Sequence, residues 1–526
     1  MSEKERLQKA IETTITTGYQ LSTDAFDYLL NCSKETDPLT IMNMVLHEIN
    51  ALKEKPFIIE KKNLENVVKQ LTQTRQVAQA VQKEKTQENT ASQSLKSQTP
   101  IDEGGFYPYA KYIPSELQIL EDATGKLTSN GTIEEYTTLF QDRYKRIEKI
   151  LRKRMDVKSA TPIREALKSQ PKTKLKIIGM LMEKRDAKQQ IILSVEDLSS
   201  SATVLVSNNA PNEVKKKALQ ILPDQVICLA VIKTRTNLFL AEDIIFPDVE
   251  RKIPQRAQEA VYAVLTSDIH VGSIKFNKEA FKKFILWFKG KYGTPEMKEI
   301  AGRVKYLLIA GDIIDGVGIY PGQQRELTIR DAHKQYNQAI KYLEKIPKYV
   351  EIVLAPGNHD ATRKALPQPA IPPDYLSAIN DKNNIHSVGS PCLLNVHGVD
   401  ILMDHGRSLD DIIATIPEMS HDHPEKSMRL LLQGRHLAPV YGGKTMLAPE
   451  NRDYLVIDKI PDILHAGHVH VLGYCNYKGV LVVNSGGWQE QTEYMEKLGL
   501  VPTPGKVPII NLMTMEITIL DFKTET

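Results

Sequence analysis

The 526-residue sequence predicts a multidomain chain: a small helical N-terminal domain, an OB-type β-barrel, and a layered α/β domain. Three observations predict it. Apolar residues recur at helical spacing through the first 70 or so positions. Five or so short β-rich runs, with one helical stretch after the third, fill residues 172 to about 246. From Val261 onward, short apolar runs alternate with longer polar or helical stretches, the mark of a layered α/β domain. At roughly 150 residues per domain, about three domains fit this length. A composition of 41% hydrophobic and 25% charged residues supplies at least one large core.

The elements follow in order. Ser22 or Thr23 caps a helix through DAFDYLLN, and Asp37 opens another through LTIMNMVLHEINAL, giving a helical interaction domain over 1–73. Residues 74–103 change to Gln, Lys, Thr, Ser, Asn and Glu, offer little to a core, and read as a flexible linker. Within 104–171, aromatics and prolines up to Thr124 suggest an ordered strap lying on a neighbouring domain. An amphipathic helix from Glu134 to Met155 follows, with Tyr136, Leu139, Phe140, Ile147, Ile150 and Leu151 on one side and basic residues on the other. Residues 172–250 form the OB-fold domain, and 251–526 the layered domain. The barrel carries only one aromatic before Phe246, namely Phe239, which favours a structural or protein-docking barrel over one that stacks bases.

Charge is mild overall at +3, but residues 141–190 hold 16 Lys/Arg against 6 Asp/Glu. Such a stretch attracts a phosphate backbone or marks a solvated helix face and strand edge, and charge alone leaves both open. Four scattered cysteines, with no CxxC pair, point to a reducing compartment and no zinc knuckle. The N-terminus lacks the apolar core of a signal peptide, and no apolar run approaches the ~20 residues of a membrane helix. The expectation is a soluble cytoplasmic protein with no membrane partner.

Chemistry concentrates at the ends of the apolar runs. YAVLTS leads into Asp268-Ile-His270, YLLIAG into Asp312, EIVLAPG into Asn358-His359-Asp360, ILMD into His405-Gly406-Arg407, and ILHAG into His468-Val-His470. Loops leaving the carboxyl ends of strands collect at one rim of an α/β sheet, where ligands bind. Carboxylate, amide and imidazole donors without thiolate suit Mn²⁺, Fe²⁺ or Zn²⁺, and the oxygen share favours Mn²⁺. Two such ions about 3.5–4 Å apart can clamp an in-line displacement at phosphorus.

The ordered series DxH, GDxxD, GNHD, H and GHxH, spread over about 200 residues, resembles the calcineurin-like metallophosphoesterase superfamily. The resemblance implies that Asp268, His270 and His470 hold a first metal, Asn358, His405 and His468 a second, and that Asp312 bridges both. It implies that His359 is catalytic and lies outside the metal shell, where it polarises the phosphate or protonates the leaving oxygen. Asp315 and Asp360 are implied as partners that orient the histidines, and Arg407 as a contact to the scissile phosphate. The remaining histidines attract simpler readings. His421 and His423 sit in a polar loop, His333, His386 and His397 take ordinary surface or core roles, and His436 is a candidate for the cleft. YGGKT at 441–445 lacks the first glycine of a P-loop, since Ala438 stands there.

A helical module, a polar linker, an OB barrel and a phosphoesterase domain with HGR after its fourth motif resemble the small subunit of archaeal D-family DNA polymerase. The likeness covers about residues 104–526 and is strongest from Val261. It implies a metal-dependent 3′-to-5′ exonuclease that proofreads single-stranded or mismatched 3′ ends of DNA and docks a large catalytic subunit. Related eukaryotic small subunits have lost metal ligands, whereas this sequence keeps the full set. A non-catalytic scaffold subunit and a stand-alone phosphatase or repair nuclease are the alternatives.

Overall fold

The apolar runs from Val261 onward become strands buried on both faces, and in the computed structural model they form the centre of two six-stranded sheets. The structure describes residues 7–68 and 106–524, less 33–37, 51–55, 188–189, 235–237, 380–382 and a few further positions before 67. The expected linker, 74–103, lies outside the described residues, as does Asp37. The chain forms two units, Met1–Pro100 and Ile101–Thr526.

In the first unit, α1 (Thr23–Cys32) starts where Ser22 Oγ accepts from the Ala25 amide at 3.2 Å. Together with α2 (Pro38–Asn50) it buries Leu29, Ile41, Val45 and Ile49 in one small core. A short parallel pairing of β1 (Gln20–Leu21) with β2 (Ile58–Ile59) adds to the helices that periodicity predicts.

In the second unit, α3 (Ile133–Arg152) opens with a capping box between Thr132 and Glu135. Then β4 (Lys174–Ala187), β5 (Gln190–Glu196), β6 (Ser201–Val206), β7 (Val226–Lys233) and β8 (Leu238–Ile245) close a barrel in the order β4-β5-β6-β8-β7. Helix α4 (Asn212–Gln220) lies between its third and fourth strands, as the sequence predicts. Alternation turns Ile191, Leu193 and Val195, and then Ala202, Val204 and Val206, into the barrel core. Phe239 is fully buried there and presents no face to a base.

One sheet of the layered region runs β12 (Ile385–Ser387), β11 (Glu351–Ala355), β10 (Val304–Ala310), β9 (Tyr262–Thr266), β18 (Lys506–Asn511), β19 (Ile517–Asp521), with β9 to β12 parallel. The other runs β16 (Gly473–Tyr477), β17 (Val480–Asn484), β15 (Ile463–Ala466), β14 (Val399–Met403), β13 (Cys392–Val396), β3 (Leu117–Asp122). The last residues of the expected strap complete the second sheet, antiparallel to β13. Period-2 alternation sorts the strands into layers. Ala263, Leu265, Leu308 and Val353 meet Leu394, Ile401 and Met403 between the sheets. Val264, Leu307, Ile309 and Ile352 face outward onto α5 (Lys278–Trp287) and α6 (Ala332–Leu343). Beyond the second sheet, α7 (Leu409–Thr415) and α8 (Pro424–Gly434) bury Leu409, Ile412, Met428 and Leu431. No helix among the described residues is long and apolar enough to cross a membrane.

Candidate metal centre

The loops after β9, β10 and β11 of one sheet meet those after β14 and β15 of the other, and contacts between their side chains join the sheets. His470 Nε2 lies 3.3 Å from Asp268 Oδ1, and His405 Nε2 lies 3.3 Å from Asp312 Oδ2. The local backbone is unusual. Asp268, His270, Asp312, His468 and His470 have φ of 50°, 53°, 52°, 71° and 60°. Left-handed backbone costs a non-glycine residue about 1–2 kcal/mol and persists where the surroundings over-determine it. Gly357 leaves room for the cluster: a Cβ there would lie 2.2 Å from Asp312 Oδ1 and 2.7 Å from His405 Cε1.

Among the described residues, Asp268, His270 and His470 converge as one group able to hold a metal ion, and Asp312, His405 and His468 as a second. Asp312 touches both, with Oδ2 3.7 Å from His270 Nε2 and 3.3 Å from His405 Nε2. Asn358 Oδ1 is 3.0 Å from His405 Nε2. The donors fit divalent cations on a specific observation. Asp268 Oδ1 is buried with no hydrogen-bond partner, and His270 Nε2 faces His470 Nε2 at 3.1 Å.

A ring of partners fixes these groups. His270 Nδ1 pairs with Asp315 Oδ1 at 3.0 Å, and Asp315 also accepts from Gln323 and Gln489. That carboxylate is thus an anchor for His270, although Asp315, His270 and His359 form a third possible metal-binding group. His405 Nδ1 donates to the Ala310 carbonyl at 2.8 Å, which leaves Nε2 facing Asp312 and Asn358. His359 donates its amide to Asp312 Oδ1 at 2.7 Å and Nδ1 to the Asp315 carbonyl at 2.8 Å, so its Nε2 is the remaining ring acceptor. Asp360 differs from expectation. It orients no histidine but accepts from the Gly357 and Ile313 amides and the Tyr336 hydroxyl, tying two motif loops together. Arg407 donates to the carbonyls of Lys364 and Lys444 at 3.1 and 3.4 Å.

Burial pushes the Asp268 and Asp312 carboxyls up, but His470 and His405 beside them outweigh it and hold both below the usual carboxylate range. Burial pulls His405 down, yet Asp312 dominates with its hydrogen bond and charge and raises it to about 10. Burial and the Asp312 charge lift Asp360 to about 6.

Sequence reading misses Asp410, whose Oδ2 pairs with His468 Nε2 at 3.2 Å. Its signal is its place three residues after Arg407, in the first turn of α7. His421, expected in a solvated loop, lies 3.5 Å from Asp410 Oδ1. His423 pairs with Glu425. His436 does not line the centre; it is buried against Asp453 at 2.8 Å.

The family model for the DNA polymerase alpha/epsilon B subunit matches residues 263–471, the span that carries every motif above. The chain is 39% identical over 393 residues to the DNA polymerase II small subunit of Pyrococcus furiosus, covering 74% of this chain and 64% of that protein. It is 39% identical over 407 residues to the protein of that name from Methanocaldococcus jannaschii, covering 77% and 68%. It is 40% identical over 394 residues to that of Archaeoglobus fulgidus, covering 75% and 78%. It thus spans a little under two thirds of the Pyrococcus relative's length. Given this identity over three quarters of its own residues, the chain belongs to the family of archaeal DNA polymerase II small subunits.

Proposed function

We propose that the chain is a metal-dependent 3′-to-5′ exonuclease subunit that hydrolyses phosphodiesters at single-stranded or mismatched DNA ends and docks a large catalytic polymerase subunit. The observation that carries this reading is Asp312, one carboxylate within 3.7 Å of a histidine from each of two neighbouring ligand groups. Asp268, His270 and His470 would hold one divalent cation, and Asn358, His405 and His468 the other, with Asp312 shared. The oxygen-rich donor set favours Mn²⁺, with Fe²⁺ or Zn²⁺ compatible. When bound, the pair of ions supplies Lewis acidity for hydrolysis and neutralises charge at phosphorus. The chain's own groups do the rest. Asp315 and the Ala310 carbonyl hold His270 and His405 in the tautomers that turn Nε2 inward. His359, fixed through Nδ1, acts through Nε2, which would carry a second proton as the imidazolium and give it to the leaving oxygen or use it to polarise the phosphate.

The test is degradation of 5′-labelled single-stranded and 3′-mismatched DNA with Mn²⁺, comparing wild type with Asp312→Ala. A ladder shortening from the 3′ end, absent in the variant, supports the exonuclease. Absence of cleavage even with the large subunit added would move the chain to a scaffold role, and turnover of small phosphoesters alone to a phosphatase.

A further inference from the structure

The loop Tyr441-Gly-Gly-Lys444-Thr445 is unused by the metal centre, yet it is tied to it. Asp410 and Asp411 are adjacent in the first turn of α7. Asp410 holds His468, while Asp411 accepts the amides of Lys444 at 2.6 Å and Thr445 at 3.1 Å. One helical turn therefore sets both an expected ligand and the loop. On its other side, the Tyr441 amide donates to Asp224 Oδ2 at 2.8 Å. The loop is thus pinned at both ends, but its outer residues are open. Tyr441 is 46% exposed, and its ring is propped by Tyr136 and Phe140, with ring centroids 5.1 and 5.3 Å away.

Three cations connect the loop to the motif loops of the centre. Arg407 donates to the carbonyls of Lys364 and Lys444, and Lys364 Nζ to those of Asn358 and Asp360. These hydrogen bonds go to neutral carbonyls, while the Asp312 and Asp360 carboxylates act on Lys364 only through space. The Lys444 side chain is exposed, and its charge reaches Asp410. A supported aromatic face linked to three clustered cations matches a single nucleic-acid strand, which offers a base to stack and phosphates to neutralise.

We propose that this loop guides a single nucleic-acid strand into the metal centre, Tyr441 stacking on a base and Lys444, Arg407 and Lys364 carrying the phosphates. The proposal rests on the phosphodiesterase reading above. It adds that the substrate is a strand engaged beyond its scissile bond.

The test is fluorescence anisotropy of a labelled oligodeoxythymidylate with the full chain in EDTA, so that binding is read without cleavage. Tyr441→Ala is expected to weaken binding about tenfold or more, and Tyr441→Trp to restore it, because stacking needs a ring and not the hydroxyl. Lys444→Ala is expected to lower the slope of log affinity against log salt by about one. Tyr441→Ala binding as wild type does, with an unfolding midpoint unchanged, overturns the proposal. So does unchanged DNA binding with lost co-purification of the large subunit, which would make the loop a protein contact. Degradation of 5′-labelled single-stranded DNA by wild type with Mn²⁺ separates the readings: its absence, even with the large subunit added, removes the exonuclease, while the binding arms still decide the loop.

Discussion

Two clusters of buried charge sit in the same unit and are built in opposite ways. At the strand ends, Asp268 Oδ1 has no donor and two imidazole nitrogens face one another at 3.1 Å. Where α3 meets the layered region, Arg143 Nε and His436 Nε2 both donate to Asp453 Oδ2 at 2.8 Å, and the Leu455 amide to Oδ1 at 3.0 Å. His436 Nδ1 accepts from the Ala438 amide at 3.1 Å, and Arg143 Nη1 donates to the Pro439 carbonyl at 2.7 Å. Only Arg143 Nη2 is left without a partner there. The second cluster is closed, since its charges cancel and its histidine uses both nitrogens. The first is open, with acceptors in excess. Burial and shifted titration are common to both, so neither identifies a functional site by itself. What separates the two clusters is the excess of unmatched acceptors in the first.

The contrast breaks first if a group in the open cluster proves structural. His359→Ala is expected to reduce DNA hydrolysis about 10²–10⁴-fold, the range for a general acid, while calorimetry finds Mn²⁺ bound as in wild type. A normal rate would remove His359 from the chemistry. Parallel loss of metal binding would move it into the coordination shell.

The closed cluster answers through stability. Asp453→Asn leaves Arg143 buried without its counter-charge and is expected to cost about 3–5 kcal/mol in urea unfolding. An effect below ~1 kcal/mol would mean that solvent reaches this junction and that the cluster is not closed.

Saturating Mn²⁺ sharpens the comparison from the other side. At about 100 times its dissociation constant, a ligand bound only by the native state stabilises by roughly 2.7 kcal/mol. That gain is expected for wild type and for Asp453→Asn, and is expected to shrink or vanish for Asp312→Ala. Equal gains in all three proteins would place the ion elsewhere.

The same contrast explains what was legible in the sequence. Each expected ligand follows an apolar run by a few residues, so strand and chemistry are read together, and the closed barrel shows as a series of short local periods with a helix after the third strand. What escaped is what distance in sequence hides. β3 joins β13 across a long stretch of chain that includes the whole barrel, so its role as an edge strand has no local signal. Arg143 and Asp453 stand 310 residues apart, and Arg143 reads as one more basic residue on the polar side of a helix until its partner is known. Asp410 sits beside Asp411 in an ordinary acidic first turn, and only the fold separates the one that holds His468 from the one that holds a loop.

The gentlest test varies pH. Burial, with the Arg143 charge adding to it, depresses His436 to about 4, below the ordinary value near 6.5. Between those values the unfolded chain binds a proton that the native chain excludes, so stability rises with pH and is lost as pH falls from about 6.5 toward 4. Asp453 acts in the same direction lower down. Burial raises its carboxyl, but His436 and Arg143 outweigh this and hold it below the usual range, so its stabilising share is lost only as pH falls below about 4. One proton corresponds to a slope of at most about 1.4 kcal/mol per pH unit. His436→Asn is expected to flatten the urea-midpoint profile between pH 6.5 and 5 by up to that amount, even if the variant is less stable throughout. A profile parallel to wild type would show that His436 is protonated in the native state, and the cluster would then carry a second positive charge beside Arg143.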